Sequence, residues 1–517
     1  MTDPRPPDPD PAPTGPRSTE DLAHLRWRLA GNPALPSAVV DRLIGLADDY
    51  IGYELADRTD LSRDQVLRLA RHGGAPIAIR LLQRGLLTPE EVDDSDPRIL
   101  VALADLGPIA ADRVRPAATS PDPAVRAALA ETAHLPTELL ALLAEDRDLD
   151  VVVEAASSPR LTDALAETLV AHPHVSVRRA LACNERTPVH LLVALADRAL
   201  PAAEHCPVCD GTANPIAEYW TCDGSHGSAL DELDFALVLN PHTPAETVCR
   251  FATHPDMHLR WRLAERDDLP QEVYRLLARD PIPGVRSDLA ENPAIGEDII
   301  RELAADPFPN VRRLLAHNPA VPLDVLTELA GSAKIGPTLL PRVAAATEAE
   351  IEALATSRNP VARMLAAERR DLSPRLVDQL AQDADARVLK SVADNPMVAV
   401  SRMWEMATGH GPRVAARLAQ NPACPPDLLL HLAECSPPAR KALRHIAEHP
   451  HAPAAALLIC LADEKARAYA AGHPALPPHT IVELLADADL SVAGDAAANP
   501  ALPVSAMHDL TRSDPLA

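Results

Sequence analysis

The chain has 517 residues, of which 47% are hydrophobic but only 2% aromatic, so its core must be aliphatic. Acidic residues outnumber basic ones by 74 to 49, for a formal charge of −25. Such a polyanion repels phosphate backbones and anionic lipid surfaces, which disfavours nucleic acid and membranes as partners.

Residues 1–18, "MTDPRPPDPDPAPTGPRS", are rich in Pro and Asp and are expected to form a disordered tail. They hold no apolar signal-peptide core. The longest apolar run, "APAAALLICLA" at 452–462, is too short to span a bilayer. The expectation is a cytoplasmic protein with reduced thiols, in which clustered cysteines read as metal ligands.

Residues 19–118 read as divergent helical repeats, opening on "LRWRLAGNPALPSAVVDRLIGLA". From 119 to 200, and again from 233 to 512, the repeat is plain. Units start at Val125, Val151 and Val177, at Leu259, Val285 and Val311, and at Val388 and Val414, with steps of 26. Asn-Pro or His-Pro marks the phase at Pro293, Pro319, Pro396, Pro422, Pro450, Pro474 and Pro500. The 53 prolines, about twice the usual share of roughly 5%, therefore punctuate structure. In "VRRLLAHNPAVPLDVLTELA", Val311, Leu314 and Leu315 share a face, Pro319 ends the first helix, and Pro322 takes the first position of the second. Leu323, Leu326 and Leu329 line that second helix. Neither short helix buries its apolar face alone, so the units must stack. Residues 513–517 read as a tail.

Arg126, Arg178, Arg286 and Arg312 recur after the valine, with Asp280 and Asp306 a few positions before the last two. They read as an Asp–Arg ladder joining adjacent units. The histidines His317, His449 and His473 are placed in the asparagine slot before the phase-marking proline and are expected to cap helix ends. Cys460, in "LLICLA", reads as a small core residue.

The motif "VRRLLAHNPAVPLDVLTELA", with its copies "VAARLAQNPACPPDLLLHLA" and "AGHPALPPHTIVELLADADLSV", resembles the leucine-rich repeat variant family and, more loosely, HEAT repeats. The resemblance implies an all-α, right-handed α-solenoid, a superhelix whose units pair an α-helix with a short 3₁₀-like helix. It implies at most a binding role.

One stretch breaks the pattern. The phase runs 133, 159, 185 and resumes only at Pro241, a step of 56. Residues 201–232 are therefore expected to replace or remodel one unit. They contain "HCPVCDGTANPIAEYWTCDGSH", with Cys206-x₂-Cys209, twelve residues, then Cys222-x₃-His226. A CxxC turn brings two thiolates to one ion, and the second knuckle supplies the other pair. Both knuckles run on as Cys-Asp-Gly, where glycine permits the positive φ of a tight turn. Cys206, Cys209, Cys222 and His226 form a donor set standard for tetrahedral Zn²⁺. With only Ile216, Tyr219 and Trp220 to bury, the loop needs a metal, and a small hairpin is expected at 205–226.

An iron–sulfur cluster is the alternative. "CDGSH" at 222–226 is identical to the signature of CDGSH iron–sulfur proteins, which implies Cys222 and His226 as ligands of a [2Fe–2S] cluster. The upstream pair differs, because Cys206 and Cys209 are separated by two residues. Some leucine-rich repeat variant proteins carry a [4Fe–4S] cluster, and that resemblance implies Cys183 or Cys249 as a further ligand. His205 is a spare ligand or a solvated neighbour.

There is no phosphate-cradling glycine loop, nucleophile elbow or HExxH helix, so no catalytic residue is assigned. The reading is a non-enzymatic scaffold that binds a protein partner. An iron–sulfur redox or iron sensor is the alternative, and a HEAT-like enzyme acting on DNA comes a distant third.

Overall fold

In the repeat that begins at Pro309, each turn has a local cause. Pro309 opens the first helix, Pro309–Leu315, where its missing N–H costs nothing. Asn318 and Pro319 end it, since the residue before a proline is pushed out of helical geometry. Pro322 is the N-cap of the second helix, Leu323–Ser332, and its carbonyl accepts from Leu326 N–H at 2.8 Å. The expectation placed Pro322 inside that helix. Its extended ψ of 144° leaves it one residue outside.

This is a computed structural model, and it describes residues 18–211, 222–333, 335, 338–436 and 439–512. The expected tails at 1–18 and 513–517 lie outside the described residues, except Ser18, which caps the helix Thr19–Ala30. Among the described residues every named element is a helix and no strand occurs. The all-α solenoid of short helical repeats is therefore the fold.

The family resemblance implied that each unit pairs an α-helix with a short 3₁₀-like helix. The structure corrects this. Second helices such as Glu297–Ala304 and Pro426–Ala433 are α-helical. Their buried residues, Ile299, Ile300 and Leu303 in the first of these, need a period near 3.6 to face one neighbour. A 3₁₀ segment does occur at Cys249–Thr253.

The chain divides into two compact units, Met1–Thr88 with Thr347–Ala517, and Pro89–Ala346. In the second unit one aliphatic core runs from Leu100 through Leu140 and Leu192 to Leu237.

Two buried ladders join the repeats. In the first, the phase-marking asparagine reaches back one repeat. Asn318 Nδ2 donates to the carbonyls of Ala290 and Asn292 at 2.9 and 2.7 Å, while Ala320 N–H donates to its Oδ1. Asn184, Asn292, Asn421 and Asn499 make the same pair of bonds. His449 and His473 stand in the asparagine position; His449 is the C-cap of the helix Arg440–Glu448, as expected, whereas His473 follows the C-cap Gly472 by one residue. Their Nε2 atoms lie 3.0 Å from the carbonyls of Asn421 and His449. His317 lies outside this ladder, because the neighbouring Asn318 holds the position.

The second ladder is the Arg–Asp series. Arg126, Arg260, Arg286 and Arg363 each grip the aspartate twenty residues ahead, Asp146, Asp280, Asp306 and Asp383, through two nitrogens. A third N–H donates to the carbonyl six residues behind. The upstream acid thus supplies only its backbone to that arginine. Arg178 and Arg312 do not follow the rule, since each has a backbone bond but no carboxylate partner among the described residues.

The asparagine ladder also redefines the interruption. Asn240 Nδ2 donates to Ala182 O and Asn184 O, so the repeat after the insertion packs on the repeat before it. No unit is replaced. The step of 56 is one period of 26 with thirty residues looped out, and the helix Gly227–Leu239 already belongs to the next repeat.

Candidate metal centre

The looped-out segment leaves the helix Val189–Ala196 through Asp197 and Arg198, the latter at a positive φ of 54°. It then runs beside residues 173–175. Glu204 N–H donates to Pro173 O at 2.9 Å, and Val175 N–H donates to His205 O at 3.0 Å. The result is one parallel bridge between His174 and His205. The expected hairpin at 205–226 is not seen among the described residues. Residues 212–221, with Ile216, Tyr219 and Trp220, lie outside them.

The two Cys-Asp-Gly turns behave as expected. Gly211 and Gly224 have φ of 70° and 89°, which a side chain rarely tolerates. The turns bring four ligand atoms together. Those of Cys206, Cys209, Cys222 and His226 all lie within 4.8 Å of one another. Cys206 Sγ is 3.7 Å from Cys222 Sγ, and His226 Nδ1 is 3.4 Å from Cys222 Sγ and 4.0 Å from Cys209 Sγ. A tetrahedron with metal–sulfur bonds of about 2.3 Å and metal–nitrogen bonds of about 2.0 Å has edges of about 3.5–3.8 Å. The three closest separations, 3.4–4.0 Å, approach these edges, so the four donors could hold a metal ion.

The surroundings treat the thiols differently. Cys206 N–H donates to Cys209 Sγ at 3.1 Å. The Gly224 amide, followed by that of His226, holds the Cys222 thiol below its ordinary value. Burial pushes the Cys206 thiol up, because this sulfur lies in a small apolar cluster with Val175 and Ala229.

Neither Cys183 nor Cys249 joins the four donors. Cys183 is exposed, and Cys249 lies in the 3₁₀ segment of a later repeat. His205 is not among the four either. Its Nδ1 faces Asp210 Oδ1 at 3.3 Å.

Sequence reasoning missed Asp210 and His174. The His174 ring accepts from Ser176 N–H through Nδ1 at 3.1 Å, which leaves the proton on Nε2. That atom lies 3.2 Å from Asp210 Oδ2, close but poorly aligned for a hydrogen bond. Burial holds the His174 pKa below the ordinary imidazole value. Asp210 thus faces both the repeat and the loop. The sequence signal was only an aspartate directly after a CxxC.

No family model matches the chain, and no curated protein does. Among solved structures, it is similar to a leucine-rich repeat variant described as having a novel repetitive structural motif. The identity is 21% and the TM-score 0.28, over 50% of this chain and 87% of that one. It is similar to Kap121p bound to Ste12p at 11% identity and TM-score 0.20, over 90% of this chain and 55% of that one. An engineered protein matches at 16% identity and TM-score 0.15, over 91% of this chain and 99% of that one.

Among the described residues, no helix is long and apolar enough to cross a membrane.

Proposed function

We propose that the chain is a non-enzymatic scaffold or adaptor, which binds a protein partner through the surface of its stacked repeats and carries one structural zinc ion. One observation carries the metal half of this reading: three sulfurs and one ring nitrogen within 4.8 Å of one another. Cys₃His is a standard closed set for structural zinc, with no position left open for substrate.

The scaffold half is supported by how the charged groups are used. The ladder arginines Arg126 and Arg286 are buried and held by aspartates, so they are not free to grip a phosphate backbone. With a formal charge of −25, a partner offering basic surface is favoured over nucleic acid.

Metal analysis of protein purified without oxygen tests the reading. Colourless protein holding one equivalent of zinc is the expected result. Brown protein with visible charge-transfer bands would replace it with an iron–sulfur redox or iron sensor. Duplex DNA binding at micromolar affinity in physiological salt would overturn the scaffold assignment.

A further inference from the structure

The Arg–Asp ladder has one rung where a buried arginine lacks its acid, and that rung stands beside the metal centre. Arg178 is 6% exposed. Twenty residues ahead, where its aspartate belongs, the chain has Arg198. The register is preserved. Asp146 follows the C-cap of the helix Thr137–Ala144 by one residue, and Arg198 follows that of Val189–Ala196 by one residue.

The guanidinium of Arg178 has turned in response. Its Nε donates to His172 O at 2.8 Å and its Nη1 to Pro201 O at 2.7 Å. Its Nη2 has no partner among the described residues. Burial without a counter-charge is costly for a cation. The Arg178 pKa is accordingly drawn below the usual guanidinium value by desolvation.

Arg178 lines a cavity of about 450 Å³. Arg198, Ser225 and His226 lie on its polar side, and Leu230 and Leu233 are among the residues of its apolar side. Arg198 is engaged with Asp234, at 2.9 Å. Two guanidiniums against one carboxylate leave one positive charge uncancelled. The helix Gly227–Leu239 starts at the same wall, and its N-cap, His226, makes no side-chain capping bond. The positive end of its dipole adds to the field.

We propose that this cavity is a binding site for a small oxyanion, a carboxylate or a phosphate, with Arg178 as its fixed anchor and Arg198 as its second donor. The ligand takes the place of the missing aspartate. A volume of this size exceeds a bare ion and falls in the range of about 300–1,000 Å³ typical of small-molecule sites. The occupant is therefore a small organic acid or a phosphomonoester, its apolar part against Leu230 and Leu233. The proposal rests on the cavity and the unmatched arginine, and it holds whichever metal the neighbouring cysteines bind.

Calorimetric titration of the full-length protein with inorganic phosphate and with succinate, at ionic strength fixed with chloride, tests it. At least one probe should bind saturably, and the stronger one tells a phosphoryl ligand from a carboxylate. Arg178→Gln should weaken binding at least tenfold while zinc content stays at the wild-type value. Arg312→Gln, at the other rung without an acid, should leave binding unchanged. Should Arg178→Gln fail to fold, Arg198→Asp combined with Asp234→Asn restores the ladder carboxylate. That variant should lose anion binding while keeping or raising its thermal midpoint. No saturable binding of either probe would overturn the proposal, as would unchanged affinity in Arg178→Gln. Loss of zinc together with anion binding in Arg178→Gln would also overturn it, because Arg178 would then be holding the knuckle.

Discussion

Asn32 Nδ2 donates to the carbonyls of Ala497 and Asn499, at 3.1 and 2.7 Å. These are the two bonds that Asn499 makes to Ala471 and His473 one repeat earlier. The first described repeat therefore packs on the last, as if the chain continued from one to the other. Arg28 pairs with Asp495, and Arg26 donates to the carbonyls of Leu510 and Arg512. Asn32→Ala should cost about 1–3 kcal/mol, because it leaves the buried Ala497 carbonyl without a donor, while Asn499 O keeps that of Leu502 N–H. The loss should appear first as proteolysis near the helix Val504–Leu510. A variant as stable as wild type, with no new cleavage there, would contradict the packing.

Arg286 and Asp306 form a buried pair with side chains 9% and 6% exposed. Removing one partner of such a pair strands a buried charge. Asp306→Ala should therefore cost about 3–5 kcal/mol in urea unfolding. Asp324 also meets an arginine, Arg301, but its side chain is 64% exposed. Asp324→Ala should cost under about 1 kcal/mol. Equal losses at the two sites would show that burial does not set the strength of these pairs.

Asp288 has its pKa raised to about 6 by burial and by the neighbouring Glu265 and Glu291. Its folded value lies above the ordinary carboxylate value of 3.8, so the folded state holds this proton more tightly than the unfolded chain does. That favours folding at low pH. The advantage fades as pH rises through about 6, beyond which the ionised carboxylate is a cost. Asp288→Asn should stabilise the protein above that range, by at most about 1 kcal/mol after allowance for solvent screening. The gain should vanish toward pH 4. Thermal midpoints of the two proteins measured across pH 4–8 should therefore diverge as pH rises. Parallel curves would remove Asp288 from the account.

Cys424 and Cys460 are fully buried, and burial pushes both thiols up to about 12. Neither should react with a thiol reagent in native protein at neutral pH, whereas exposed Cys183, whose thiol burial raises less, should react faster than either. Labelling followed by peptide mapping checks this, and chelation should add the knuckle cysteines to the reactive set.

These features were unequally visible in the sequence. The period was legible because Pro319 and Pro322 must fall at helix boundaries, and boundaries recur with the repeat. The ligand set was legible because each half of it is a local turn, closed by Gly211 or Gly224. The asparagine ladder was hidden, since Asn318 meets backbone carbonyls, which leave no mark in a residue pattern. The Arg–Asp ladder was half visible. The constant offset from Arg286 to Asp306 is in the sequence, but Asp280 upstream looked the nearer partner. The packing of Asn32 on the last repeat had no local sign, because Asn32-Pro33 looks like any other phase mark.

The metal prediction turns on what holds residues 201–226 in place. Fixing a backbone residue costs about 1–2 kcal/mol, and the segment is more than twenty residues long. Against this the described loop offers a small apolar cluster around Val175, Cys206 and Ala229. A structural zinc ion supplies on the order of 10 kcal/mol or more. The flanking repeats do not depend on the loop, since Asn240 bonds directly to Ala182 and Asn184 across its base. Cys222→Ser should therefore abolish metal binding and open residues 205–230 to protease. The circular dichroism of the helices should change little, and the unfolding midpoint of the repeats should move far less than in Asp306→Ala. Full metal retention in Cys222→Ser would show that other ligands hold the ion. Collapse of the whole helical signal would show that the loop, and not the asparagine ladder, joins the repeats on its two sides.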